Sequence, residues 1–230
     1  MTTRSLSSIQ QDIQTHSPHP EKVKILAVSK KQSFEKIIEL HKQGQILFGE
    51  NYVQEALQKI QQTQQHLSPK DQLTWHFIGH LQSNKVKDII GKFKLIHSVD
   101  SLKLAQIIDQ KCKALNIKQD ILIEINIGEE SSKNGFRLEE LTDQWKQLIQ
   151  LTNLSIHGLM CLPPPSEDDR ITSSYFKKLK DQQVKLKSNT PSALHPMNEL
   201  SMGTSSDYIL ALQQGSTFIR LGTILFGERA

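Results

Sequence analysis

Short apolar segments alternate with helix-like segments along nearly the whole chain. Eight apolar segments of strand length can be counted, from VKILAVSK at residues 23–30 to TFIRL at residues 217–221. Their continuous apolar character is typical of strands that are buried on both faces. Repeated strand–helix units favour a parallel sheet, and eight units in 230 residues predict an α/β protein built as a closed (β/α)8 TIM barrel.

A polar segment at residues 5–16 precedes the first strand and is broken by Pro18 and Pro20, so we expect an additional N-terminal helix. No linker, internal repeat or low-complexity boundary interrupts the pattern, and a single domain over residues 1–230 is expected. An open doubly wound sheet is the alternative. It usually has fewer strands and a glycine-rich first turn, and no GxGxxG follows the first strand here.

Charge and composition disfavour several classes of partner. The net charge is +4, but only five of the 28 basic residues are arginines, and the lysines are scattered among acids, which argues against nucleic acid. No apolar run follows Arg4 and no segment is long enough to cross a bilayer, so we expect a cytoplasmic protein without a membrane partner. Cys112 and Cys161 have no metal-ligand spacing, and no metal site is expected.

Lys30 stands at the end of the first predicted strand. In a (β/α)8 barrel, functional groups gather at the C-terminal ends of the strands. A lysine there is either a solvated surface charge or an amine held in a pocket. A partly desolvated amine loses its proton more easily and can form a Schiff base with a carbonyl compound.

Two loops near the end of the chain have the composition of an anion site. SMGTSS at residues 201–206 follows the seventh predicted strand, and RLGT at residues 220–223 ends the eighth. Such sequences are often simple turns. Backbone N–H groups in these turns can also hold a phosphate, and many (β/α)8 enzymes bind phosphate at this pair of loops.

Arg220 lies within an otherwise apolar strand, TFIRLG. A buried guanidinium is costly unless it is paired, either with an acid in the barrel or with a ligand. An arginine facing the ring nitrogen is one way in which proteins tune pyridoxal phosphate. Lys30, the two loops and Arg220 together predict a site for a phosphate cofactor that carries an aldehyde.

Four further positions have two interpretations each. Asn51 either contacts a ligand ring or caps the following helix. His76 and His80 are acid–base candidates or packed side chains. Lys133, in ESSKNGF, either reaches a phosphate or partner or is simply solvated. Cys161, by contrast, is expected to be buried and inert.

Several motifs resemble the YggS/PROSC family of pyridoxal phosphate homeostasis proteins, over about residues 5–230. The motifs are AVSK (27–30), FGENYVQE (48–55), WHFIGHLQSNK (75–85), INIGEESSKNGF (125–136), HGLM (157–160), SMGTSSD (201–207) and GSTFIRLGTILFG (215–227). The resemblance implies an alanine racemase-like, fold type III barrel. It also implies that pyridoxal 5′-phosphate (PLP) is held as a Schiff base, without established catalytic turnover, in a cytosolic protein of vitamin B6 balance.

Site residues follow from the resemblance by position. They are Lys30 for the Schiff base, Asn51 near the ring, Arg220 at the pyridine nitrogen, Ser201, Ser205, Gly222 and Thr223 for the phosphate, and Lys133 in an accessory role. Thr204 departs from the family, in which methionine is common at this position.

The resemblance also bears on whether the chain is an enzyme. Racemase relatives carry a second, β-rich domain that supplies a tyrosine base, and only residues 227–230 follow the last predicted strand motif. We therefore expect a monomeric carrier that buffers PLP, with delivery to apo PLP-dependent enzymes as a further hypothesis. The alternatives are a weak PLP-dependent racemase and a cofactor-free Schiff-base aldolase that acts on a sugar phosphate.

Overall fold

Eight parallel strands form a closed barrel in the computed structural model, which describes residues 3–227. Each strand pairs with its neighbours in sequence, and the first pairs with the last. The strands are β1 (Lys24–Val28), β2 (Leu47–Glu50), β3 (Thr74–Phe77), β4 (Leu95–Val99), β5 (Gln119–Ile125), β6 (Leu154–Cys161), β7 (Glu199–Thr204) and β8 (Phe218–Leu221). The predicted (β/α)8 barrel is confirmed.

Helices separate the strands and cover the outside of the barrel. They are α1 (Leu6–His16), α2 (Phe34–Lys42), α3 (Val53–His66), α4 (Val86–Ile89), α5 (Leu102–Leu115), α6 (Leu138–Leu148), α7 (Asp169–Lys187), α8 (Tyr208–Gln213) and α9 (Thr223–Phe226). Within residues 3–227, none of these helices has both the length and the apolar character that a membrane crossing requires.

The apolar side chains of the strands pack in two layers, one outside the barrel and one inside it. Side chains that face outward pack against the helices in one large core, in which Phe48, Ile96 and Ile123 are fully buried. Inside the barrel, Leu122 and Phe218 belong to a smaller cluster. Burial on both faces explains why the strands read as continuous apolar runs.

The predicted N-terminal helix is present as α1, which begins at Leu6, one residue after its N-cap Ser5. Its apolar side, with Ile9 and Ile13, packs against α8 and β8. Asp12 accepts hydrogen bonds from Arg4 Nη1 and from the hydroxyl of Tyr208 on α8, both at 2.5 Å. An apolar contact and a polar network therefore join the start of the chain to its end.

Three details differ from what the sequence pattern predicts. The residues after Asn84 predict a helix that reaches Ile90, but the chain forms a 3₁₀ turn (Ser83–Lys85) followed by the single turn α4, before Gly91 at φ +75°. Residues 199–202 alone predict the seventh strand, whereas β7 runs to Thr204, and its pairing with β8 is irregular between Ser201 and Thr204. Gly203, at φ +93°, supplies the positive φ that such an irregularity commonly needs. Helix α9 directly follows β8, where no helix was predicted.

Candidate functional site

A cavity of about 370 Å³ opens at the C-terminal ends of the strands. This volume lies in the range of ordinary ligand sites. Six of the seven residues predicted for the cofactor line it, namely Lys30, Asn51, Ser205, Arg220, Gly222 and Thr223. The remaining lining residues are Val28, Ile78, Glu124, Met160, Leu162, Thr204 and Ser206. Predicted site residues that are far apart in sequence, from Lys30 after β1 to Thr223 after β8, therefore line one cavity.

Lys30 lies two residues after β1, half-buried in the wall of the cavity. The chain turns tightly around it, since Ser29 N donates to Gly49 O and Gln32 N donates to Ser29 O, both at 3.0 Å. Lys31 has a left-handed φ of +59°, which is uncommon for a residue other than glycine. The backbone on both sides of Lys30 is therefore held in a defined, partly strained shape.

Asn51 is not the helix cap, because Tyr52 occupies the N-cap position of α3. Its Oδ1 atom is buried and has no hydrogen-bond partner among residues 3–227. The end of β3 packs closely here, since a Cβ on Gly79 would lie 2.1 Å from Asn51 O. A buried acceptor without a partner, in a cavity wall, is the kind of group that a ligand satisfies.

The two predicted anion loops meet at one side of the cavity. Ser205 Oγ accepts a hydrogen bond from Gly222 N at 3.2 Å, and Ile224 N lies 3.5 Å from the same oxygen. The N–H groups at the start of α9 are thus directed at a polar atom of the loop after β7. Convergent backbone N–H groups and hydroxyls are suited to phosphate oxygens.

The loop after β7 is shaped by local contacts. Asp207 Oδ1 accepts from Thr204 N at 2.6 Å and from Thr204 Oγ1 at 2.9 Å, which closes the turn. Gly203 has φ +93°, and a Cβ there would lie 2.6 Å from Ala211 Cβ. Glycine is therefore required for α8 to pack on β7 behind the loop.

Arg220 is buried on β8, with 7 % of its surface exposed. Its Nη1 donates to Ser201 Oγ and its Nη2 to Cys161 O, each at 2.8 Å. Burial lowers the pKa of Arg220 below its ordinary value, and the nearby Cys161, Asp207 and Glu124 oppose that shift. A guanidinium has five N–H donors, so further donors remain for a ligand in the cavity.

A chain of buried polar groups continues below Arg220, inside the barrel. Ser201 Oγ lies 2.9 Å from His97 Nδ1, and His97 Nε2 lies 2.8 Å from His76 Nδ1. Burial lowers the pKa of His76 to about 3 and the pKa of His97 well below its ordinary value, so both rings are neutral.

One direction in this chain is fixed by chemistry. Arg220 can only donate, so Ser201 Oγ accepts from its Nη1. The Ser201 hydroxyl can donate to His97 Nδ1 or accept from it, and the tautomers of His97 and His76 are set together because the two rings share one hydrogen bond. Arg220 is consequently held by a network of neutral groups.

Glu124 on β5 is a cavity residue that the sequence analysis did not identify. Burial raises its pKa to about 7, repulsion from Asp100 adds to the rise, and Arg220 opposes it. A carboxyl that titrates near neutrality therefore faces the same space as Lys30. Its signal in the sequence was a single acid within ILIEINI, an otherwise apolar strand.

Ser201 is the one predicted cofactor residue that does not line the cavity, and its contact with phosphate stays a prediction. It is part of β7, fully buried, outside the cavity lining, and engaged with Arg220 and His97. Its hydroxyl points into the barrel, whereas Thr204, beyond the irregularity in the pairing of β7 with β8, lines the cavity. In this structure Ser201 supports Arg220.

Three other candidates lie outside the cavity lining. His80 is half-exposed and contacts Asp100 at 3.1 Å, whereas His76 is buried in the barrel. Lys133 pairs with Glu130 at 2.6 Å in the loop after β5. Within residues 3–227, no group of three His, Cys, Asp or Glu side chains is arranged to hold a metal ion.

The donor set fits a phosphate-bearing aldehyde. The cavity wall offers an amine, a guanidinium, an unpartnered amide oxygen, and hydroxyls and N–H groups at one side. These groups match an aldehyde carbon, a ring nitrogen, a ring hydroxyl and a phosphate respectively. Fold and site together define a class, namely (β/α)8 barrels with a lysine and an anion-binding rim at the C-terminal mouth.

Comparison with known proteins gives the family. A family model described as the alanine racemase N-terminal domain matches residues 5–230. A pyridoxal phosphate homeostasis protein of Aquifex aeolicus is 40 % identical over 228 residues, covering 99 % of this chain and 96 % of the relative. The chain therefore belongs to the family of pyridoxal phosphate homeostasis proteins, as its motifs indicated.

Solved structures agree with this assignment. PipY of Synechococcus elongatus, solved without PLP, is 34 % identical, with a TM-score of 0.86 over 97 % of this chain and 100 % of PipY. The same protein solved with PLP bound gives a TM-score of 0.82 over 95 % of this chain and 100 % of PipY. Alanine racemase of Clostridium difficile, 18 % identical, shares the fold with a TM-score of 0.69, over 95 % of this chain and 55 % of the racemase.

Proposed function

We propose that this protein binds PLP as a Schiff base on Lys30 and acts in the homeostasis of vitamin B6. The observation that carries the proposal is the single cavity that brings Lys30, Arg220 and the loops after β7 and β8 together. The names of its relatives and the PLP-bound structure of PipY support the same conclusion.

Each residue has one task in this proposal. PLP, when bound, supplies an electrophilic aldehyde carbon. The Lys30 amine adds to that carbon, a C=N bond forms and one water leaves, so hydrolysis releases the cofactor unchanged. The Ser205 hydroxyl and the N–H of Gly222 bind the phosphate, and Arg220 donates a hydrogen bond to the ring nitrogen.

Arg220 favours a carrier over an enzyme. As a fixed cation it leaves the pyridine nitrogen unprotonated, and an unprotonated ring is a weak electron sink for chemistry at an amino-acid α-carbon. Tyr208, near the phosphate loop, directs its hydroxyl to Asp12 and Arg4, and burial raises its pKa to about 12. We propose a monomeric, cytoplasmic carrier, with apo PLP-dependent enzymes as recipients.

The test is a visible absorption spectrum of the purified protein, followed by borohydride reduction and peptide mapping. We expect a yellow protein with a phosphopyridoxyl group on Lys30, and no chromophore in Lys30→Ala. Lys177→Ala is the control, because this lysine is exposed on α7 and pairs only with Asp181 in the described structure.

Two other outcomes would change the assignment. A protein that stays colourless and unlabelled with PLP would contradict the cofactor site, and trapping of a sugar phosphate on Lys30 would then support the aldolase alternative. Interconversion of amino-acid enantiomers that disappears in Lys30→Ala would establish the racemase alternative.

A further inference from the structure

A buried ion cluster lies directly behind Lys30. Lys59 on α3 is 5 % exposed, and its Nζ donates to three oxygens: Ser29 O at 2.6 Å, Glu50 Oε1 at 2.8 Å and Glu55 Oε1 at 2.6 Å. Glu50 itself is fully buried at the end of β2. A buried lysine needs such a complete set of partners, because an unpaired charge in the interior is costly.

The carboxylates of the cluster also hold the chain on each side of Lys30. Glu50 Oε1 accepts from Ser29 Oγ at 2.6 Å, and Glu55 Oε1 accepts from Lys31 N at 2.5 Å. The residue before Lys30 and the residue after it are thus bound to carboxylates that meet at one ammonium group.

The contact with Lys31 coincides with its unusual backbone. Lys31 has φ +59°, and a side chain disfavours this left-handed region. Such a conformation persists only when its surroundings enforce it, and strained backbone tends to occur at functional sites. The hydrogen bond from Lys31 N to Glu55 is the contact that can enforce it here.

We propose that Lys59, Glu50 and Glu55 form a clamp that positions Lys30 for reaction with an aldehyde. They are positioning residues, because they act through the neighbours of Lys30. Lys59 contacts the carbonyl oxygen of Ser29, Glu50 the hydroxyl of Ser29, and Glu55 the backbone N–H of Lys31. The clamp determines the direction in which the Lys30 side chain leaves the barrel wall. This inference rests on the proposed function.

The cluster offers one variant that should fold. Lys59→Met would leave two carboxylates facing each other at a buried site. A failure of this variant to fold would not test whether the cluster positions Lys30. The Glu55 side chain is 26 % exposed, and Glu55→Ala removes the contact to Lys31 while the pair of Lys59 and Glu50 remains.

Replacing Lys31 with glycine distinguishes an effect of Glu55 on the position of Lys30 from an effect of Glu55 on stability alone. Glycine adopts a positive φ freely, so Lys31→Gly makes the left-handed turn independent of Glu55. We expect Glu55→Ala to raise the dissociation constant for PLP about tenfold. In the Lys31→Gly background the same change should raise it only about twofold to threefold.

The readouts are titration of the Lys30 chromophore with PLP, borohydride mapping to Lys30, and the thermal midpoint of each variant without PLP. Asp181→Ala is the matched control, since it removes a carboxylate from an exposed Lys177–Asp181 pair with the same i,i+4 spacing, and it should bind PLP like the wild type.

A wild-type affinity in Glu55→Ala would overturn the clamp. An equal loss of affinity with and without the Lys31→Gly change would also overturn it, because Glu55 would then act by a route other than the turn. A wild-type protein without any chromophore would overturn the proposed function and the clamp together, and so the two failures can be told apart.

Discussion

Arg220 depends on partners that come from other strands of the barrel. Ser201 on β7 accepts from its Nη1, and the carbonyl of Cys161 on β6 accepts from its Nη2. Because Ser201 Oγ also hydrogen-bonds with His97 Nδ1 at 2.9 Å, its hydroxyl serves two buried groups at once. Residues outside the cavity lining therefore control a residue within it.

We predict that Ser201→Ala lowers the free energy of unfolding by about 1–3 kcal/mol, since two buried groups lose a partner. PLP should also bind more weakly, because Arg220 is no longer held. Ser216→Ala is the matched control: Ser216 is similarly buried but its hydroxyl contacts only backbone carbonyls. Urea unfolding and PLP titration of both variants check this, and an unchanged affinity in Ser201→Ala would contradict it.

Glu124 gives a prediction about pH. Its pKa is raised from 4.5 to about 7 in the folded protein, so the folded state holds this proton more tightly than the unfolded chain does. The contribution of Glu124 to stability is complete below pH 4.5 and is lost as the pH rises through about 7. Glu124→Gln should remove this dependence.

The measurement is the free energy of unfolding of wild type and Glu124→Gln at about pH 5 and about pH 8. The wild type should lose more stability between these two values than the variant does. Parallel profiles would show that Glu124 does not titrate in this window.

At the residue scale, the sequence predicted most of the polar side chains that line the cavity, but not all of the residues that hold them in place. Lys30 and Arg220 could be identified because a charge at the end of, or within, an apolar strand is conspicuous. Glu124 and His97 carry the same kind of signal, a single titratable side chain within the apolar segments ILIEINI and LIHSV. Lys59 could not be identified from the sequence, since its burial depends on contacts with Ser29 and Glu50 that exist only in the folded protein.

At the scale of secondary-structure elements, the close packing of neighbouring strand ends shapes the site. The end of β3 lies against the chain after β2, where a Cβ on Gly79 would lie 2.1 Å from Asn51 O. We predict that Gly79→Ala displaces Asn51 and weakens PLP binding at least about tenfold, since the clash is with backbone and must move it. Titration of the chromophore measures this. A variant that binds PLP normally would contradict the prediction that the close packing at Gly79 positions Asn51 for binding.

Helix α1 is predicted to be a structural part of the barrel. Ile9 is fully buried against α8 and β8, whereas Ile171 on α7 is 47 % exposed. Ile9→Ala should lower the free energy of unfolding by about 2–5 kcal/mol, and Ile171→Ala should change it little. Chemical denaturation of the two variants compares them, and equal effects would mean that α1 contributes no packing.

Element types followed from the sequence more reliably than their ends. Apolar runs predict buried strands because burial on both faces leaves no polar alternation. The irregular pairing of β7 with β8 between Ser201 and Thr204, at the end of β7, is defined only in the folded barrel. Local patterns contain no information about that pairing.

The whole molecule closes through the pairing of β1 with β8. Opening the barrel at any point would expose two unpaired strand edges, so no part of it can unfold cheaply alone. We predict a single cooperative transition over the whole chain. Trp75 on β3 and Trp145 on α6 report by fluorescence, and far-UV circular dichroism should give the same midpoint. Different midpoints would indicate two folding units.

Both cysteines are fully buried, and burial raises the pKa of Cys112 to about 11 and the pKa of Cys161 to about 12. Only a thiolate reacts quickly with oxidants or alkylating reagents. Peroxide at levels that inactivate thiol enzymes should therefore leave this protein intact, although Cys161 contacts Arg220 through its carbonyl oxygen. Alkylation of the two thiols would then proceed only as fast as the barrel opens, and labelling kinetics would measure how often it does so.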